Sequence, residues 1–187
     1  MILDLIKSCR SYRRFRGDAT VTREQLVSYV EAARFSASAV NAQRLRFALV
    51  SDIETAERMF ELVAFAGFLK PEQKAQAHQH PTAYIVICSE TPKEKVAIDI
   101  GIAAQSIVLA AREDGVGSCM IGSYRPDGVS ELLSLPENMK PQFVIALGYP
   151  DERVELCDAT LDDTRYFRDP DDVHMVPKLP LDCLIIK

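Results

Sequence analysis

Asp99-Ile100-Gly101-Ile102-Ala103-Ala104-Gln105-Ser106-Ile107-Val108-Leu109-Ala110-Ala111-Arg112 reads as a helix with almost no polar face. Such a helix must be covered nearly all round, by core on one side and by a further surface, such as a second subunit, on the other. Gly115-Val116-Gly117 stops it, and Cys119-Met120-Ile121 follows as a short strand ending at Gly122. The chain is therefore a mixed helix-and-strand protein with its most apolar helix near the middle.

Working outward, Tyr84-Ile85-Val86-Ile87-Cys88 is an apolar run of strand length, expected to be buried on both faces. Phe143-Val144-Ile145-Ala146-Leu147 is another strand, closed by Gly148-Tyr149-Pro150. Upstream, Phe47–Val50 reads as a short strand, with Asp52 placed to cap a helix over Ile53–Gly67. Lys70–His80 is polar and expected to be mobile. Thr22 with Gln25 three residues later is a capping box that starts a helix to Phe35. Ile2, Leu5, Ile6, Cys9 and Tyr12 recur at helical spacing, so an opening helix delivers the following arginines, until Gly17-Asp18 breaks it. Downstream, Asp151–Pro180 is Asp-rich and weakly patterned, long for a loop, and Leu181–Ile186 reads as a terminal apolar strand. That stretch suits an arm packed on a partner chain.

The 187 residues suit one domain, 1–187, able to bury a core without disulfides. Five scattered cysteines with no Cys-x-x-Cys argue for free thiols in a reducing compartment and against a zinc site. With no signal-peptide pattern and no apolar run long enough for a membrane helix, a cytoplasmic protein is expected. A net charge of −5 argues against nucleic acid. Lys7, Arg10, Arg13, Arg14 and Arg16, with no acid among them, instead suggest a small anionic ligand.

Three segments could carry chemistry. Arg10 and Arg13 lie three apart, on one face of a helix end, with Ser11 able to add a hydroxyl; guanidinium forks suit phosphate. The same residues also suit a solvated basic helix end favoured by the macrodipole. Ser38-Ala39-Val40-Asn41-Ala42-Gln43 offers mixed donors and acceptors, as the edge of a heteroaromatic ring requires, or is an ordinary turn. Gly115–Ser123 is small enough for close backbone approach, with an N–H at Gly122 or Ser123 in reach of a ligand. It is neither a Rossmann fingerprint nor a phosphate-binding Walker loop. His78 and His80 suit a solvated loop better than a metal fragment, and His174 a structural role in the arm.

In this order the segments resemble the FMN-dependent nitroreductase family nearly end to end. The likeness rests on Arg10–Phe15, Ser38–Gln43, Asp99–Gln105 continuing into Gly115–Cys119, Ala146–Pro150 and Val173–Lys178. It implies an α+β fold with a central, mainly antiparallel sheet flanked by helices. It also implies a homodimer with exchanged C-terminal arms (151–187) and two FMN sites at the interface. Arg10, Ser11 and Arg13 would meet the FMN phosphate and ribityl chain. Ser38, Asn41 and Gln43 would reach the flavin of the other subunit, and Gly122 and Ser123 would face N5. Lys178 would close the phosphate site, with Arg168 or Arg165 as substitutes.

The implied activity is hydride transfer from NAD(P)H through flavin N5 to a nitro-aromatic, quinone or similar electrophile, with ping-pong kinetics. Reductive dehalogenation, flavin breakdown and a non-catalytic flavin carrier are the alternatives. Two features depart from the family: Cys9 stands where many members have an arginine, and Arg44-Leu45 replaces Pro-Trp in a chain without tryptophan.

Overall fold

The apolar helix is the longest element of the computed structural model, which describes residues 1–186. It forms α4, Lys93–Glu113, and begins two turns earlier than its apolar stretch because Lys93, Glu94 and Lys95 continue it toward solvent. Before it come α1 (Ile2–Ser8), α2 (Arg23–Arg34), β1 (Arg46–Val50), α3 (Ile53–Phe60) and β2 (Ala83–Ser89). After it come β3 (Gly117–Ile121), α5 (Pro126–Leu132), β4 (Lys140–Gly148), β5 (Val154–Asp158), β6 (Phe167–Arg168) and β7 (His174–Lys178).

Strands β1-β2-β4-β3 form one antiparallel sheet in that order. Every residue of β2 is buried, and its alternation divides the core in two. Ala83, Ile85 and Ile87 pack with Leu26 and Tyr29 of α2 and Ile100, Ala104 and Ile107 of α4. Tyr84, Val86 and Cys88 face the other way, onto Ala56 and Met59 of α3 and Val129 of α5. Full burial of each large side chain here contributes roughly 1.5–3 kcal/mol, which is why a continuous apolar run marks a central strand. The expected α+β architecture is what the chain adopts, and among the described residues no helix is long and apolar enough to cross a membrane.

The capping box of α2 forms as read: Thr22 Oγ1 accepts from Gln25 N, while Gln25 Oε1 accepts from Thr22 N. Asp52 caps α3 through Thr55 N, but that helix stops at Phe60, short of Gly67. Beyond it Val63 bridges to Tyr124 and Ala64 N donates to Ser123 O. Lys70–His80 is anchored by two short helical turns and by bonds from Phe15 N to Gln79 O, Gly17 N to His78 O and Arg14 Nη2 to Gln73 O. The sequence reading of this stretch as mobile is corrected on that point.

Both ends of the chain differ in local structure from what their sequence suggests. The opening helix stops at Ser8, and Arg10–Phe15 runs extended along the sheet, so Arg10 and Arg13 are not on one helical face. Tyr12 N donates to Ser118 O of β3, and Phe15 is fully buried against Gly148, so the sheet edge takes the pairing that a helix would keep internal. At the other end, 151–178, read from the sequence as weakly patterned, carries a second sheet, β5-β7-β6. Leu181–Cys183 is a single helical turn rather than a strand, and Leu181, Leu184, Ile185 and Ile186 are exposed.

Candidate functional site

The extended Arg10–Arg13 segment, the face of β3, the middle of α4 and the end of β7 enclose a cleft of about 500 Å³. Arg10, Ser11, Arg13 and Lys178 all line it, so four of the nine expected residues converge although Lys178 lies far along the chain. Val108, Leu109 and Met120 give the cleft an apolar floor. Among the described residues its lining holds three cations and no carboxylate, a donor set suited to a phosphate or another small oxyanion. Arg10 Nη2 donates to Ile6 O at 2.6 Å, closing the end of α1, while Nε of Arg10 and Nε of Arg13 are buried with no partner among the described residues.

The two substitutes for Lys178 are engaged elsewhere. Arg168 is buried, its Nη2 bonded to Glu152 Oε2 and its Nη1 to Asp172 O at 2.8 Å. Arg165 is exposed and paired with Asp163 at 3.1 Å. Cys9 also lines the cleft; its thiol donates to Val108 O at 3.4 Å, and burial raises its pKa against the opposing pull of Arg10 and Arg112.

Ser38 and Gln43 lie elsewhere, on a cavity of about 270 Å³ between α2, α4 and β1. The chain there turns through left-handed backbone at Val40, Asn41 and Gln43, and Asn41 is exposed outside both cavities. Asp99 holds the loop by accepting from Ala39 N at 2.9 Å; its other oxygen is buried without a partner among the described residues. Within one chain, α4 separates this loop from the arginine cleft: Asp99 and Ala103 line one side, Gln105, Val108 and Leu109 the other.

Gly122 and Ser123 are exposed just beyond β3. Ser118 and Met120 line the cleft, and strand alternation puts Gly122 on the same face, roughly 13 Å past Ser118. His78 and His80 make other contacts: the His78 carbonyl accepts from Gly17 N, and the His80 ring stacks on Phe60 with Nδ1 2.9 Å from Glu57.

Sequence reasoning missed Tyr166, whose ring lies 3.9 Å from Arg13 Cζ and lines the cleft, and Gln105 on the exposed side of α4. It also missed Glu152, whose side chain is almost wholly buried although it sits in the charged run Asp151-Glu152-Arg153. No local pattern distinguishes Glu152 or Tyr166 from a solvated arm. The cue that was available is the basic residues Arg13, Arg14 and Arg168, which need a buried acid if they are themselves buried.

The description that matches the chain is the nitroreductase family, over residues 6–149. A Methanothermobacter thermautotrophicus protein with the provisional name NADH dehydrogenase/NAD(P)H nitroreductase is 31% identical, covering 93% of this chain and 86% of its own. Among solved structures, a nitroreductase family protein of Streptococcus pneumoniae TIGR4 superposes with a TM-score of 0.72 over 100% of both chains; at 19% identity it supports the fold alone. An FMN-dependent nitroreductase of Clostridium difficile R20291 superposes with a TM-score of 0.63 at 26% identity, over 82% of this chain and 90% of that one. With that description spanning most of its length and a relative above 30% identity, the chain belongs to the nitroreductase family.

Proposed function

We propose that this chain is an FMN-dependent oxidoreductase. It takes a hydride from NADH or NADPH and passes it to a nitro-aromatic, quinone or similar electrophile, the two substrates visiting one face in turn. The observation that carries the reading is the cleft of Arg10, Ser11, Arg13 and Lys178, which has three cations and no acid among the described residues. That set fits a phosphomonoester carrying close to two negative charges, each charged hydrogen bond contributing roughly 1.5–3 kcal/mol. The buried, unpartnered Nε atoms of Arg10 and Arg13 are further donors for it. The names of the relatives point the same way, one to NAD(P)H and one to FMN.

FMN, when bound, supplies the redox chemistry; the chain supplies grip, orientation and electrostatics. Arg10, Ser11, Arg13 and Lys178 hold the phosphate end. Val108 and Met120 give the apolar wall, and a backbone N–H at Gly122 or Ser123 is the donor assigned to N5.

Ser38, Asn41 and Gln43 act in a homodimer, reaching the flavin of the other subunit. The support is an exposed stripe on α4 (Ile98, Gly101, Ile102, Gln105) beside exposed Ile2, Leu3 and Ile6 of α1. The exposed tail Leu181–Ile186 is the part we assign to exchange between subunits. Five free cysteines support a cytoplasmic setting.

Anaerobic addition of NADH or NADPH to the FMN-loaded protein tests the reading. Bleaching of the flavin absorbance, then its return on adding a quinone or nitro-aromatic, is expected. A protein that takes up no FMN, or whose flavin neither nucleotide bleaches, would contradict it.

A further inference from the structure

Arg13 is 9% exposed, so its guanidinium is held rather than free to search for a ligand. Its Nη1 donates twice, to Ser11 O at 3.0 Å and to His174 Nε2 at 3.0 Å. The Tyr166 ring lies 3.9 Å from Cζ, and the His174 ring stacks on Tyr166 with centroids 5.3 Å apart. Among the described residues these contacts leave one edge of the fork without a partner, the buried Nε together with Nη2. This side-on edge carries two parallel N–H groups, the arrangement that grips two oxygens of a single phosphate.

Behind Arg13 stands Glu152, its side chain 1% exposed. Oε1 accepts from the backbone N–H of Arg13 and, at 3.0 Å, from that of Arg14; Oε2 accepts from Arg168. A carboxylate with three donors, one of them charged, is well satisfied when buried. It fixes the backbone of Arg13 as His174 fixes its side chain. His174 can accept from Arg13 only when neutral, and burial together with Arg13, Arg168 and Arg14 pushes its pKa down to about 3. The proton then sits on Nδ1, which faces Glu152 Oε2 at 3.7 Å and is no ion pair despite the proximity.

We propose that Glu152 and His174 are positioning residues that aim the Nε–Nη2 edge of Arg13 into the cleft as its phosphate fork. Both lie beyond Pro150, so residues 151–178 complete the cleft of their own chain. The proposal rests on the reading of the cleft as a phosphate site.

The experiment compares affinity for FMN with affinity for riboflavin, which lacks only the phosphate. His174→Phe keeps a ring against Tyr166 but removes the acceptor; His174→Gln restores an acceptor near the position of Nε2. Expected is a loss of about tenfold or more in FMN affinity for His174→Phe with riboflavin affinity nearly unchanged, and substantial recovery in His174→Gln. Glu152→Gln, checked for a native near-UV spectrum, should lower the same ratio, and it serves if His174→Phe does not fold.

An unchanged ratio, or an equal loss for both ligands, would overturn the positioning role. Arg13→Ala separates the two levels. If it collapses the ratio while folded His174 and Glu152 variants do not, only this inference fails. If it leaves the ratio intact, the phosphate reading fails with it.

Discussion

Acidification from pH 7 to pH 5 should weaken this protein through His174, and the size of the effect follows from its surroundings. The ring is fully buried beside Arg13 and Arg168, which holds its pKa near 3 in the folded chain against about 6.5 when unfolded. Between those values the unfolded chain binds a proton that the folded chain refuses. Stability is therefore intact above pH 6.5 and falls as the pH drops toward 3. At about 1.4 kcal/mol per pH unit within that window, the step from pH 7 to 5 costs about 2 kcal/mol. For a chain of this length, that corresponds to a Tm drop of roughly 4–8 °C. Other groups titrate as well, so the measurement is a difference: urea unfolding of the native chain and of His174→Gln at pH 7, 6 and 5. The variant should lose about 2 kcal/mol less across the series. Parallel pH dependence in the two proteins would refute the claim that His174 is neutral and buried.

Gly117→Ala should destabilise by about 1–3 kcal/mol in denaturant titration, because its Cβ would lie 2.9 Å from the Tyr12 ring and 3.0 Å from Pro150 Cγ. It should also weaken FMN binding by moving Ser11 and Arg13; a neutral substitution would mean the Tyr12 segment has slack. Val40→Gly should stabilise by about 1 kcal/mol, since a β-branched residue at φ 48° is strained and Val40, 91% exposed, has little burial to lose. Lower stability of that variant would show that the Val40 side chain is used in the folded protein.

The fold was legible wherever one segment's chemistry sufficed. β2 needs only its apolar run, α2 its capping box and α4 its apolar length. The end of α1 was not legible, because Cys9 and Tyr12 satisfy helical spacing while Tyr12 and Phe15 also satisfy docking on a sheet edge. The open backbone of β3 and the space beside Gly148 decided it, and neither is local. The C-terminal sheet escaped for a similar reason: β6 has two residues and β7 contains Pro177, so their pairing is visible only in three dimensions. The cleft was legible in part: Arg10, Ser11 and Arg13 stand out as residue types and Lys178 through the family resemblance, and the four line one cleft. What surrounds Arg13 was hidden, because a buried Glu152 or His174 reads in sequence like any polar residue of an acidic arm.

The phosphate cleft is the central claim, and equilibrium titration with FMN tests it most directly. We expect the native chain to bind FMN more tightly than riboflavin. Arg13→Ala and Lys178→Ala should each weaken FMN binding by about tenfold or more while leaving riboflavin affinity within a few-fold. Equal affinities for FMN and riboflavin in the native chain, or FMN binding indifferent to both substitutions, would contradict it.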